Sequence, residues 1–217
     1  MLKENKTGLN KDIFLAFSGG IDSVASLDYL AHRYNVTLVH IDHGDEIEEK
    51  EAEVTRFYAD YYNIKYHIFG GFDKRKAKTS SKEGAWRNFR YKVFNSLEGQ
   101  VITCHQLDDC IESYIFNAMQ GVPAAIKPVV GNVHRPFLLS SREDMVERVK
   151  KLGLIWSEDH TNSDPNFCTR NYIRHTMMPH VLKVSPGIRK VVRKIILSYY
   201  KDYNEPAFAK LQSNHME

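Results

Sequence analysis

Two short stretches carry side chains whose types and spacing suit chemistry. In the first, Ser18-Gly19-Gly20-Ile21-Asp22-Ser23, two hydroxyls and a carboxylate surround a pair of glycines. Gly19 and Gly20 lack a Cβ, so the backbone can take unusual dihedrals and approach a ligand closely. Apolar spacing through Val24, Leu27, Leu30 and Ala31 predicts a helix starting where the turn ends. The start of a helix offers free N–H groups and the positive end of its dipole, so this turn suits an anion. Asp22 is out of place in an anion cradle unless a cation such as Mg²⁺ lies between carboxylate and phosphate. The bland alternative is an ordinary strand-to-helix turn with Asp22 as a cap, and the serines on both sides with the aspartate inside favour the anion reading over it. It fits neither the Walker A pattern G-x-x-x-x-G-K-S/T nor the dinucleotide pattern G-x-G-x-x-G.

The second stretch is His105-Gln106-Leu107-Asp108-Asp109-Cys110-Ile111-Glu112-Ser113. On a helix, Asp108 and Glu112 stand at i, i+4 and Asp109 and Glu112 at i, i+3, so three carboxylates and a histidine share the first turns. Carboxylates favour a helix N-terminus through the dipole. Their mutual repulsion is better accounted for if they hold Mg²⁺ and an amine. The metal candidates are therefore Asp22, Asp108 and Asp109, and Asp109 and Glu112 are candidates for an amine. Farther upstream, Glu83, Arg87 and Arg90 fall at i, i+4 and i+7 of one helix face. They read either as a surface ion pair or, with the aromatic residues crowding other faces, as an arginine side open to an anion.

The elements that must position these groups follow from periodicity. Ile13 to Phe17 is an apolar run too short for a helix and suited to a strand covered on both faces. Val36–Asp42, Ile64–Phe69 and Val101–Cys104 read as further strands, with helices over Glu46–Tyr62 and from Ser80 to about Leu97. On the first of these helices Val54, Phe57, Tyr58, Tyr61 and Tyr62 make the buried side. Gly70 to Thr79 is a basic loop closed by a capping box at Ser80 and Glu83. The alternation of strands and helices predicts an α/β fold, an open, mainly parallel sheet with helices on both faces. In such sheets the ligand crevice lies outside the carboxyl ends of the strands, which gathers the residues after Ser18, Asp42, Phe69 and Cys104 at one site. His40 and His43 fall on opposite faces of a strand and do not form a metal pair.

Gly121 ends the helix after Leu107, and Val129 to His134 reads as a hairpin turning at Gly131-Asn132. A helix begins at Ser140 or Ser141, with Glu143 and Asp144 in its first turn, and ends at Leu152-Gly153. Glu158 to His175 is a long polar loop running into a helix that Pro179 bounds or kinks. A short helical extension follows, from about Pro186 to Tyr203, with Ile188, Val191, Val192, Ile195 and Ile196 as its apolar stripe. The expected division is a catalytic domain over 10–182 and a basic helical tail over 183–217.

The 217 residues are 42% hydrophobic, enough for one sizeable core. The formal charge of +3 is mild, but cations gather from Arg170 onward. Cys104, Cys110 and Cys168 form no C-x-x-C pair and read as packing residues. Met1 to Lys11 is polar, without a signal-peptide core, and no apolar run suits a bilayer, so a cytoplasmic location without a membrane partner is expected.

The pattern S-G-G-x-D-S directly after a strand resembles the PP-loop of the ATP pyrophosphatase superfamily, also called adenine nucleotide alpha hydrolase-like. Four further patterns follow in order. They are E-x-x-x-R-x-x-R-Y (Glu83, Arg87, Arg90, Tyr91), H-x-L-D-D-x-x-E (His105 to Glu112), R-P-x-L (Arg135 to Leu138) and E-D-x-T-N-x-D-x-x-F-x-x-R-N-x-x-R-H (Glu158 to His175). Together they resemble the tRNA(Ile)-lysidine synthetase family over about residues 13–182.

That resemblance implies ATP and Mg²⁺ as the cofactors, with isoleucine tRNA bearing a CAU anticodon and free L-lysine as partners. The family adenylates the C2 oxygen of the wobble cytidine and then replaces AMP with the ε-amine of lysine. Ser18, Gly19, Gly20, Asp22, Ser23 and Asp42 would then bind ATP, and Asp22, His105, Asp109 and Arg87 would be catalytic. Asp109 and Glu112 would receive lysine. Arg90, Arg135, Arg170, Asn171, Arg174, Arg189 and Lys190 would lie toward the tRNA, joined by Arg193 and Lys194, while Asn162, Asp164 and Asn171 fix their loop by local hydrogen bonds.

Many family members carry further C-terminal domains that grip tRNA, and this sequence resembles a minimal form. It would hold tRNA with the catalytic domain, the basic tail or a second subunit of a homodimer. The alternatives are a tRNA 2-thiocytidine synthetase, a family with paired C-x-x-C motifs that this sequence lacks, and a nucleotide- or tRNA-binding module without turnover.

Overall fold

The computed structural model describes residues 2–5, 7–42, 47–71, 82–157 and 164–204. Six strands form one sheet: β1 (Asp12–Ala16), β2 (Asn35–Ile41), β3 (Lys65–Phe69), β4 (Gln100–Ile102), β5 (Val129–Val130) and β6 (Val133–His134). Their order is β3-β2-β1-β4-β6-β5, parallel except for the β5–β6 hairpin. The helices are α1 (Ile21–Ala31), α2 (Ile47–Tyr62), α3 (Lys82–Ser96), α4 (Leu107–Met119), α5 (Arg142–Lys151), α6 (Thr169–Tyr172), α7 (Met178–Val184) and α8 (Ile188–Asn204), with a π-helical turn at Ile173–Met177.

Alternation along the central strands divides the core. Ile13 and Leu15 of β1 join Leu38 and Ile102 in a cluster with Val24 and Leu27 of α1, Tyr58 of α2 and Met145 and Val149 of α5. Phe14 and Ala16 point the other way, among Val39, Val101, Val133 and Val93 and Phe94 of α3. Both faces of β1 are therefore covered, as its unbroken apolar run requires. Strand order reverses between β1 and β4, so the turns that leave these two strands flank the crevice where ligands of such sheets bind.

The hairpin turns at Gly131, with φ of +59°, and Asn132 Nδ2 donates to the carbonyls of Phe94 and Gly99 at 2.8 and 3.1 Å. Ser141 caps α5 reciprocally with Asp144. Gly121 follows the end of α4 with φ of +81°, the left-handed conformation that ends many helices.

The structure corrects several expectations. Only part of the α2 stripe is buried: Tyr58 is 1% exposed, while Phe57 and Tyr61 are 46% and 64% exposed. Five apolar positions span a wider arc than the sheet can cover, and Phe57 and Tyr61 stack on each other outside it at 6.1 Å. On α8, Val191 faces outward at 46% exposure, while Val192, Ile196 and Tyr200 enter a cluster with Leu107, Cys110 and Ile111 of α4. That stripe makes α8 part of the same packed unit as α4. Pro179, expected to bound or kink a helix, does mark a boundary: it sits in the first turn of α7, directly after the π turn. The basic loop, its Ser80 cap, residues 158–163 with Asn162, and the side chain of Glu83 lie outside the described residues.

Candidate functional site

The glycine turn has the geometry of an anion cradle. Phe17 N–H donates to Val39 O at 2.9 Å, holding the end of β1 against β2. Gly19 then turns left-handed, with φ of +73°. A Cβ there would meet Val54 Cγ1 at 3.3 Å, so a side chain is disfavoured by both conformation and space. Gly19 O accepts from Ser157 N–H at 2.9 Å, which pins the turn to the segment after α5. Gly20 is the N-cap of α1 and, having no side chain, leaves the first-turn amides without a side-chain cap. Ser23 Oγ donates to Gly20 O at 2.8 Å, and Ser18 Oγ lies 3.5 Å from Ser23 Oγ.

Asp22 stands in the first turn of α1, and its Oδ1 is buried without a hydrogen-bond partner. Burial, and after it the charge of Asp109, pushes its pKa up to about 6. Arg142, Arg174 and Arg170 oppose that rise. A carboxylate with a poorly satisfied charge is suited to receive a cation.

Across the crevice, Gln106 caps α4. Its Oε1 accepts from Asp108 N–H at 2.7 Å, and its own N–H donates to Asp109 Oδ2 at 2.9 Å. Asp109 thus completes a capping box with one oxygen and turns the other outward to two arginines. Arg170 Nη2 donates to Asp109 Oδ1 at 2.5 Å and its Nε to Glu112 Oε2 at 3.2 Å. Arg174 Nε donates to Glu112 Oε1 at 2.7 Å, and its Nη2 lies 3.1 Å from both Asp109 Oδ1 and Glu112 Oε2. Burial works to raise the Asp109 pKa but is outweighed by Arg170, His105, the Gln106 N–H and Arg174, so the carboxyl stays below its ordinary value. Asp108 leaves this group and pairs with Arg189 of α8 at 2.5 Å.

His105 follows β4, with Nδ1 3.0 Å from Thr103 Oγ1. Burial drives its pKa down to about 3; the charge of Asp109 opposes the fall, and those of Arg135, Arg170 and Arg90 add to it. The imidazole is therefore neutral near pH 7 and can accept or donate one hydrogen bond without carrying charge.

Asp109, Arg170 and Arg174 lie within electrostatic range of Asp22, and Asp109 and Arg170 within range of His105. Glu112 joins them through its ion pairs. Of the three metal candidates, Asp22 and Asp109 are electrostatically coupled while Asp108 pairs with Arg189, and among the described residues no three His, Cys, Asp or Glu side chains form a group able to hold a metal. Asp42 lies at the end of β2, where its N–H donates to Phe69 O at 2.9 Å. Arg87 and Arg90 are exposed on α3, and Lys190 is exposed on α8. Arg135 lies inside, 3% exposed, donating to Lys127 O at 2.9 Å and to the Tyr91 hydroxyl at 2.7 Å. It is thus anchored in the domain rather than presented on a surface. Asn171 is buried and donates to Asp164 O at 3.0 Å, and Asn166 N–H donates to Asp164 Oδ1 at 2.9 Å, the local bonds expected of this loop.

Sequence reasoning missed Gln106, Ser157 and Arg142. Glutamine is not among the preferred N-cap residues, so the capping role of Gln106 was not signalled by its type. Nothing local marked Ser157 or Arg142, which reach the site only through the packing of α5 on α1. Among the described residues no helix is long and apolar enough to cross a membrane.

Curated proteins similar to this chain include the tRNA(Ile)-lysidine synthase of Thermosipho africanus, 31% identical over 86% of this chain and 48% of its own length. The proteins of the same name from Exiguobacterium sibiricum and Lactiplantibacillus plantarum are 26% and 29% identical over 89% and 83% of this chain. They are matched over 49% and 44% of their own lengths. The chain thus spans about half the length of the curated relatives it matches. The PP-loop domain profile matches residues 2–181, and with the glycine turn, the parallel sheet and the crevice between β1 and β4, the chain belongs to the PP-loop domain family.

Proposed function

We propose that this protein uses ATP to adenylate the C2 oxygen of the wobble cytidine of isoleucine tRNA with a CAU anticodon, and then joins lysine to that carbon. The observation that carries the reading is the placement of an uncapped helix start and the unsatisfied Asp22 carboxylate opposite a histidine and two carboxylates on α4. Relatives named for lysidine formation support the choice of substrate.

In the first step the cytidine O2 attacks the α-phosphorus of ATP, the bond to the bridging oxygen breaks and pyrophosphate leaves. The amides of α1 and the hydroxyls of Ser18 and Ser23 hold the phosphates as charge develops on the leaving group. Asp22, with Asp109 nearby, fits Mg²⁺, which is commonly held by one or two carboxylates together with substrate phosphates. When bound, Mg²⁺ would neutralise charge on the pyrophosphate. Asp108, committed to Arg189, stands outside that pair. His105, neutral and next to β4, hydrogen-bonds the cytidine or its adenylate. Arg87 and Arg90 hold anionic groups on the same side.

In the second step the ε-amine of lysine, relieved of a proton, attacks C2, and AMP leaves with the C2 oxygen. Asp109 and Glu112 are the carboxylates placed to receive the amino acid. Their charge is matched by Arg170 and Arg174, so a lysine ammonium docking here gives at least one guanidinium a new partner. The α-carboxylate of lysine or a tRNA phosphate suits that role.

Pyrophosphate release separates this reading from a binding module. Release that requires both ATP and tRNA supports it, and tRNA binding without pyrophosphate release refutes it.

A further inference from the structure

Arg135 is a buried cation that pairs with no carboxylate among the described residues. Among the described residues no carboxylate bonds to its guanidinium, which is met by the Lys127 carbonyl at 2.9 Å and the Tyr91 hydroxyl at 2.7 Å, while its Nε has no partner. Burying an arginine against two neutral oxygens is unfavourable unless the arrangement serves another purpose. The backbone fixes it equally firmly: Arg135 N–H donates to Pro128 O at 2.8 Å, and Arg135 O accepts from Tyr200 of α8 at 2.7 Å.

Tyr91 receives that anchor on α3. Its hydroxyl is spent on Arg135, its edge packs on Phe94 with ring centroids 5.9 Å apart, and the guanidinium carbon of Arg87 lies 5.0 Å from its ring centroid. Arg87 is one turn earlier on the same helix and exposed, so without the ring its side chain would sample many rotamers. A cation over an aromatic face is attracted by the ring quadrupole, and an arginine ordered before binding loses less entropy when an anion arrives.

We propose that Arg135 and Tyr91 are positioning residues that hold the guanidinium of Arg87 ready for a substrate phosphate, with the α8 residue Tyr200 steadying the Arg135 backbone. This rests on the reading above of Arg87 as an anion-holding residue. It gives the interior arginine of the R-P-x-L pattern a role that needs no contact with tRNA.

The test is a double-mutant cycle on the full chain, read by tRNA affinity and by the order of the Arg87 Nε–H group in NMR relaxation. Tyr91→Leu should weaken tRNA binding about three- to fivefold, the range of an exposed cation–π contact. It should also lower the order of the Arg87 Nε–H group. In an Arg87→Ala background the same change should have no further effect. Equal loss in both backgrounds, or unchanged Arg87 order, would overturn the relay. Tyr91→Phe keeps the packing and the ring but removes the acceptor for Arg135. It should give a smaller loss of order than leucine, and wild-type order would remove Arg135 from the proposal. If Arg87→Ala alone leaves tRNA and ATP affinity unchanged, the assignment of Arg87 to substrate fails, while its side-chain order in Tyr91→Leu still decides the relay.

Discussion

Arg170 and Asp109, brought together from opposite sides of the π turn and the capping box, meet at 2.5 Å through Nη2 and Oδ1. Arg174 joins them one turn later, at 3.1 Å from the same oxygen. Two arginines expected to face tRNA phosphates are therefore paired with the two carboxylates expected to face lysine. The segment after β4 and the polar segment before α7 form one electrostatic unit.

Removing Arg170 should be felt first as lost stability. Arg170→Ala leaves Asp109 and Glu112 buried with a single guanidinium between them, and should cost about 1–3 kcal/mol in urea unfolding at neutral pH. That is below the usual figure for a broken buried pair because the Arg170 side chain is 39% exposed. The Asp109 carboxyl is held below its ordinary value, so its contribution is present above about pH 4 and fades as pH falls further. In the variant, with one cation fewer beside Asp109, that fading should be smaller and be complete at a higher pH. Stability equal to wild type would mean that the quartet does not hold the segment.

Asp22 should show the opposite sign. Its folded pKa is raised to about 6 from 3.8, so above pH 6 the ionised carboxylate destabilises the ligand-free fold. Asp22→Asn should therefore be more stable than wild type by about 2 kcal/mol at pH 7.5. The gain should shrink between pH 6 and 4, as the wild-type carboxyl becomes protonated in the folded state. The same variant should lose pyrophosphate release. A destabilised Asn variant would contradict the unsatisfied state of Asp22.

Gly19→Ala tests the cradle itself. With φ at +73° and Val54 Cγ1 only 3.3 Å from where the alanine methyl would stand, the substitution should destabilise by about 1–2 kcal/mol and weaken ATP binding at least tenfold. Calorimetric titration with ATP measures the second effect, and unchanged affinity would place the phosphates elsewhere.

The tail helix makes two separable predictions. Ile196→Ala removes a fully buried side chain packed against α4 and should cost about 2–5 kcal/mol. Lys190→Ala touches no packing and should leave stability unchanged while lowering the salt slope of tRNA affinity by nearly one unit. An unchanged slope would make α8 a packing element alone.

Much of this was legible in the sequence because local signals and tertiary demands agreed. The Ile13 to Phe17 run, the glycine turn and the helix that follows it specify one another within eleven residues, and Ser141 with Asp144 announced the start of α5. What was not legible depended on partners distant in the chain. The spacing of Asp108, Asp109 and Glu112 put three carboxylates on one helix, but nothing in it said that Asp108 would be drawn away by Arg189 of α8. Arg135 looked like an available cation, and only the fold shows it buried under Tyr91. Phe57 and Tyr61 read as core because periodicity reports a helix face without reporting how wide a face the sheet can cover.

The central claim is tested most directly by incubating the protein with isoleucine tRNA bearing a CAU anticodon, ATP, Mg²⁺ and isotopically labelled lysine, then digesting the tRNA and weighing its nucleosides by mass spectrometry. The wobble cytidine should gain one labelled lysine in place of its C2 oxygen, in step with AMP formation, and Asp22→Asn should give neither. An unmodified cytidine alongside ATP turnover, or labelled lysine carried equally by the Asn variant, would contradict that claim.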